Sequence, residues 1–246
     1  MENNLPNLTP RLKTVMNFVR PGRTVADIGT DHAYLPVFLV NSGISPNAVA
    51  SDVKEGPLSR AKLTAKNYRA AEKIKFLLSD GLDKIKESEA DEIIIAGMGG
   101  ELISEIISKC EWVKNPQKHL ILQPMTAQEQ LRAFLCQNGF AIEKESAAVE
   151  KHGKKCYLIM SVFYDGKVRE ADEFYCLTGE LKSGGENERA YLNRTVITLL
   201  KKANGISMSK IINEEDEREA ENARQLAEKI KALCGKMNTN RIGGDG

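Results

Sequence analysis

What the sequence lacks narrows its function before any motif is read. Its five cysteines, Cys110, Cys136, Cys156, Cys176 and Cys234, are scattered and odd in number, with no C-x-x-C pair. That excludes a zinc knuckle or a disulfide framework and points to reduced thiols. The three histidines, His32, His119 and His152, have no ligand spacing, so no resident metal is expected. No apolar run approaches the ~20 residues needed to cross a membrane, and the opening MENNLPNLTP is polar and acidic, unlike a signal peptide. A cytoplasmic protein is therefore expected. The formal net charge is only +1, so any polyanionic partner must be met by a local patch. Aromatics are sparse, and the single tryptophan, Trp112, falls in a predicted loop and has no assigned role. Neither G-x-G-x-x-G nor G-x-x-x-x-G-K-[ST] occurs, which disfavours dinucleotide and P-loop phosphate binding.

What remains is an alternation of strand and helix signals over two-thirds of 246 residues, enough chain for one large or two unequal domains. Short apolar runs predict strands at 24–28, 48–51, 74–78, 92–96 and 119–123, with EIIIA patterned for burial on both faces. Helices are expected over 10–19, 33–41, 55–71, 101–110 and 127–138. Segments 140–149 and 156–164 resemble two antiparallel strands around KHGKK. Such units imply a mostly parallel, right-handed, doubly wound α/β sheet. After Gly184-Gly185 the pattern becomes two helices, with Asn204-Gly205 as the break and Ser207 or Ser209 as the next cap. Leu192, Val196, Leu199, Leu200 and Ala203 share one stripe. Ile211, Ile212, Ala220, Ala223, Leu226, Ala227, Ile230 and Leu233 share another, as in a helical hairpin or short coiled coil. The tail after Met237 is expected to be disordered.

Ligands of open α/β sheets sit outside the carboxyl ends of strands, and four such loops carry the chemistry. VADIGTDHAYLP packs Asp27, Thr30, Asp31, His32 and Tyr34 around a turn at Gly29. Asp52, followed by Val53, ends the second strand, where a carboxylate can take both ribose hydroxyls. Asp80-Gly81 ends the third, placed to meet an adenine edge. Gly97-Met98-Gly99-Gly100 ends the fourth, where missing side chains let a substrate approach. Each has a plainer alternative: a cap, a strand-end acid, an ordinary turn, or close helix–strand packing. Their agreement on one edge is the signal. Asp31 stands where a dinucleotide fold has its second glycine and would face a pyrophosphate with negative charge. That favours a ligand without phosphate, such as S-adenosylmethionine.

Together VADIGTDHAYLP, ASDVKEGPL, LSDGL, IIIAGMGGELI and LILQPM, with the helical pair, resemble the bacterial tRNA (adenine-22-N1)-methyltransferases, the TrmK family of class I S-adenosylmethionine-dependent enzymes. The resemblance spans about residues 8–233. It implies a Rossmann-like methyltransferase domain over 1–165 with a terminal antiparallel hairpin, and a helical domain over 166–246. It implies S-adenosylmethionine as cofactor, held by Asp27, Gly29, Thr30, Asp52, Val53, Asp80, Gly81, Gly97, Met98 and Gly99. The [N/D]-P-P-[Y/F] run of many exocyclic-amine methyltransferases is absent, its place taken by Gly97–Gly100.

Adenine N1 carries a free lone pair, so the reaction needs in-line positioning rather than a base. The product is cationic, and a carboxylate beside it would stabilise developing charge. Asp31 is the first candidate for that role, with His32 and Tyr34 next, for orienting or stacking the base. A tRNA partner needs phosphate contacts. Candidates are Lys151, His152, Lys154 and Lys155 in the hairpin turn, Arg11, Lys13, Arg20 and Arg23 near the start, and Arg194, Lys201 and Lys202 on the helical pair. His119 is expected to be structural, and Gln123-Pro124-Met125 to wall the base pocket. Methylation of another RNA or a small molecule remains open, as does a non-catalytic RNA-binding module, although Asp27, Asp52 and Asp80 speak against a degenerate site. Oligomeric state is open.

Overall fold

Four strand–helix repeats lay down a sheet whose carboxyl-end loops converge on one edge. The computed structural model describes residues 5–150, 155–181, 184–208 and 213–242, with 237–242 by backbone alone. The strands are β1 (Val25–Ile28), β2 (Ala48–Asp52), β3 (Ile74–Leu78), β4 (Glu92–Met98), β5 (His119–Pro124), β6 (Phe140–Glu150) and β7 (Lys155–Tyr164). They form one sheet in the order β3-β2-β1-β4-β5-β7-β6. β1 pairs in parallel with β2 and β4, β2 with β3, and β4 with β5, while β7 runs antiparallel to both neighbours. This is the expected Rossmann-like sheet with its antiparallel hairpin.

Alternation along each strand separates two cores. Helices α1 (Pro10–Met16), α2 (Tyr34–Asn41) and α3 (Glu55–Asn67) cover Val25, Ala50, Ile94, Ile121 and Ile159. On the other face, α4 (Gly100–Ser108) and α5 (Gln128–Gln137) cover Ala26, Ile28, Ile93, Ile95, Leu120 and Leu122. Thr9 caps α1 through its hydroxyl and Pro10 occupies the first turn, where its missing N–H costs nothing.

Past β7 the chain forms α6 (Glu173–Thr178), α7 (Glu186–Ser207) and α8 (Glu214–Ile242). α6 was not anticipated. It is capped by Asp172, whose carboxylate accepts from the Tyr175 amide at 2.7 Å. α7 and α8 are antiparallel, with Leu192, Val196, Leu199 and Ala203 facing Ala220, Ala223, Leu226, Ala227 and Ile230. These residues belong to the same cluster as Leu158 and Met160 of the sheet. The hairpin is thus packed onto the sheet. Asn204-Gly205 does not break α7, which continues to Ser207; tertiary packing outweighs a propensity cost of about 1 kcal/mol. The cap of α8 is Asn213, accepting from Glu215 and Asp216 amides at 2.9 Å each, in place of the expected serines. The helix runs on through the expected disordered tail as far as Ile242. Ser209, Ile211 and Ile212 lie outside the described residues.

Two buried polar networks hold the periphery. Arg132 of α5 and Glu145 of β6, both fully buried, pair at 2.8 Å. Arg132 also donates to the Cys176 carbonyl, and Glu145 accepts the Glu180 amide at 2.5 Å, so the pair ties α6 to the sheet. At the amino edge of the sheet, buried Glu92 receives Arg20 and His119, each at 2.6 Å. His119 also contacts the Ser161 hydroxyl at 2.7 Å, a structural role as expected, at the edge opposite the four loops. Among the described residues, no helix is long and apolar enough to cross a membrane.

Candidate active site

The first loop is built by backbone geometry. β1 ends at Ile28, and Gly29 then takes a φ of +76°, a region open to glycine at little cost. The turn is pinned to β2, because the Gly29 and Thr30 amides donate to the Ser51 carbonyl at 2.8 and 2.9 Å. A Cβ on Gly29 would lie 2.2 Å from the Met98 methyl. Asp27 is buried in this turn, and burial pushes its carboxyl from the ordinary 3.8 up to about 6. The Thr30 hydroxyl and the Arg11 cation pull it back, while Asp52 adds repulsion.

The next two strand ends supply Asp52 and Asp80. Asp52 Oδ1 accepts the Lys54 amide at 2.8 Å, and its carbonyl accepts the Ser79 amide at 3.0 Å. Val53 is 60% exposed at the rim. Asp80 is exposed, and Gly81 turns at φ +49° against Ile106 of α4. The neighbouring Ser51 hydroxyl is fully buried with no partner in the protein.

The Gly97–Gly100 run divides by role. Gly97 is exposed with φ +85°, and a Cβ there would meet only Arg11 Nη1, at 3.7 Å. The Met98 carbonyl accepts the Met125 amide at 2.7 Å. Gly99 has an ordinary backbone and caps α4. Gly100 serves packing, since a Cβ would sit 2.3 Å from the Ala127 carbonyl oxygen. Close packing accounts for Gly100, and a left-handed backbone for the glycine at position 97.

Asp31, His32 and Tyr34 stand on the open side of the first loop. The His32 and Tyr34 rings stack with centroids 5.4 Å apart and 15° between planes. The Asp31 side chain is 63% exposed, pairs with Arg60 of α3, and lies 3.4 Å from His32 Nε2. Arg60 was missed, because nothing in its helix marks it apart from other surface arginines.

Arg11 was expected in a phosphate-binding cluster with Lys13, Arg20 and Arg23. The structure divides that cluster. Arg11, at the start of α1, reaches over the carboxyl ends of the strands, where Nη1 donates to buried Gln123 Oε1 at 2.7 Å. Its guanidinium also lies 5.6 Å from the Tyr157 ring centroid. Arg20, beyond the helix, is paired with Glu92 at the opposite edge. Gln123 is fully buried and oriented by Arg11 and the Pro124 carbonyl, while Met125 is 46% exposed. Lys151, His152 and Lys154 lie outside the described residues, and Lys155 is exposed at the start of β7. Arg194 and Lys202 line a cleft of about 480 Å³ between α5, α6 and α7 together with two acids, Glu129 and Glu173, and Lys202 pairs with Glu219 of α8 at 2.7 Å; Lys201 is exposed outside it. Among the described residues, no group of three or more His, Cys, Asp or Glu side chains is placed to hold a metal ion.

Comparison with known proteins bears on the family and the fold. Residues 8–160 match the family model for a methyltransferase domain. The tRNA (adenine(22)-N(1))-methyltransferase of Bacillus subtilis (strain 168) is 37% identical over 153 residues, covering 62% of this chain and 63% of that protein. The chain thus matches under two thirds of that curated relative's length. Similarity to solved structures extends over the C-terminal helices. The B. subtilis m1A22 tRNA methyltransferase TrmK has a TM-score of 0.78 at 27% identity, over 93% of this chain and 99% of that one. TrmK of M. capricolum, solved with S-adenosylhomocysteine, has a TM-score of 0.76 at 25% identity, over 92% and 99%.

Proposed function

The chain belongs to the methyltransferase-domain family and to its TrmK branch, and we propose that it transfers a methyl group from S-adenosylmethionine to N1 of adenine 22 in tRNA. The observation that carries this reading is the convergence of Asp27, Asp52, Asp80 and side-chain-free Gly97 on one edge of the sheet. These residues suit the cofactor. A buried acid at Asp27 matches an ammonium group, and the Asp52 carboxylate matches vicinal hydroxyls. The site has no glycine cradle for a pyrophosphate, which fits a ligand without one.

The cofactor supplies a methyl group already activated on a sulfonium. The protein's part is to align adenine N1 and to stabilise the cation that forms. Asp31 supplies the negative charge on the open side of the loop, and the stacked His32–Tyr34 pair offers a flat surface for the base. N1 of a paired adenine is hidden, so the target must be unpaired or flipped out, at a cost of a few kcal/mol. Arg194 and Lys202, on a cleft that also carries Glu129 and Glu173, are candidate phosphate contacts for the body of the tRNA, and the enzyme works in the cytoplasm with its substrate.

The test is incubation of the full chain with unmodified tRNA and methyl-labelled S-adenosylmethionine, followed by mapping of the modified nucleotide. The expected result is one N1-methyladenine at position 22. Label at another base, or none in tRNA, refutes the reading.

A further inference from the structure

We propose that Arg11 binds the carboxylate of the cofactor's amino-acid end, opposite Asp27, which takes its ammonium group. The assignment rests on the methyltransferase reading above and adds a residue to it.

Three contacts hold Arg11 over the strand ends. Its backbone N–H donates to Glu150 Oε1 at 3.1 Å, Nη1 donates to buried Gln123 at 2.7 Å, and the guanidinium lies over Tyr157. A solvated phosphate-binding arginine needs no such scaffold. Gln123 and Tyr157, from two strands, fix the fork before any ligand arrives, and Glu150, from a third, anchors the backbone that carries it. Only one guanidinium N–H is used by Gln123, so donors remain for a carboxylate, whose geometry a guanidinium matches with two parallel hydrogen bonds.

The charges are complementary but not joined. Arg11 is close enough to act on Asp27 through space, yet the two make no ion pair, and among the described residues Asp27 has no ion-pair partner. Gly97, exposed and without a Cβ, lies beside Arg11, since a Cβ built on it would meet only Arg11 Nη1, at 3.7 Å. A buried acid and an anchored cation, near each other yet unpaired, form a receptor for a zwitterion. An amino acid carries an ammonium and a carboxylate on one carbon. S-adenosylmethionine is the ligand of this reading that presents that pair at its methionine end.

The experiment compares S-adenosylmethionine with its decarboxylated form, which keeps the ammonium and sulfonium and lacks only the carboxylate. Isothermal titration of the full chain should show wild type preferring the intact cofactor. Arg11→Gln should weaken intact cofactor by about tenfold to a hundredfold, the loss expected for a charged hydrogen-bonded partner. Its affinity for the decarboxylated form should change less than about threefold, so the preference collapses. That unchanged affinity also reports that the variant is folded. If Arg11→Gln does not fold, Arg11→Lys, which keeps the charge and loses the fork, should show a reduced but nonzero preference. An equal loss for both compounds overturns the assignment and leaves Arg11 a structural residue. So does an intact preference with loss of tRNA affinity alone, which would return Arg11 to the phosphates. If wild type binds neither compound, the methyltransferase reading itself falls, and this assignment with it.

Discussion

Replacing Asp27 with Asn should make the free protein more stable at neutral pH while destroying cofactor binding. The carboxyl titrates at about 6 in the folded chain against 3.8 ordinarily, chiefly because burial disfavours its charged form. At about 1.4 kcal/mol per pH unit, that difference amounts to about 3 kcal/mol of cost borne by the folded state when Asp27 is ionised. Between pH 4 and 6 the folded state binds more protons than the unfolded one. Stability from this group is therefore greatest below pH 4, falls as pH rises through 6, and is level above. Asn is neutral at every pH and keeps the shape, though it does not reproduce every hydrogen bond of a protonated acid. A gain of about 1–3 kcal/mol at pH 8 is expected, or several degrees in Tm for a chain of this size. Urea denaturation of wild type and Asp27→Asn at pH 8, 6 and 4.5 measures the gap, which should shrink as pH falls. Titration with S-adenosylmethionine should show binding lost in the variant. In wild type, binding should weaken about tenfold per pH unit below 6, because the ammonium partner needs the ionised acid. A variant less stable than wild type at pH 8, or a gap that widens on acidification, would refute the reasoning.

Three other perturbations test separate parts of the structure. Glu145→Ala leaves the fully buried Arg132 guanidinium without its carboxylate and should cost about 3–5 kcal/mol in denaturant unfolding; a loss below about 1 kcal/mol would show that the pair ties down nothing. Gly100→Ala drives a Cβ to 2.3 Å from the Ala127 carbonyl oxygen, which no rotamer relieves, and should lower stability by about 1–3 kcal/mol in the same assay. Asp31→Ala should reduce methyl transfer to tRNA by about tenfold or more while leaving cofactor affinity within about threefold; turnover near wild type would remove Asp31 from the chemistry.

The strand-end loops were legible because they are local. A buried run ending in an acid and a glycine states its own turn, and four such runs in series imply which edge they share. The glycine roles were legible only in part. Gly97 and Gly100 look alike in GMGG, yet one faces the tip of the Arg11 side chain and the other a carbonyl of the next loop, a difference made by residues 11 and 126–127. Asn204-Gly205 misled for a similar reason. Local propensity opposes the helix there by about 1 kcal/mol, and burial of neighbouring Ala203 against α8 offsets it. The cluster of arginines near the start was least legible. α1 carries Arg11 to one edge of the sheet, and the turn beyond it leaves Arg20 at the other, so nearness in sequence was not nearness in space.

By itself the sequence determined the order of elements, the edge on which the strand-end loops gather, and the acids at the strand ends, because each depends on the chain's own periodicity and turn chemistry. Tertiary structure alone decided which side chains from elsewhere enter that edge. Arg11 meets Gln123 across a separation of 112 residues and Arg60 meets Asp31 across 29. Such pairings follow from how helices lie across a sheet, and no local pattern of residues encodes that.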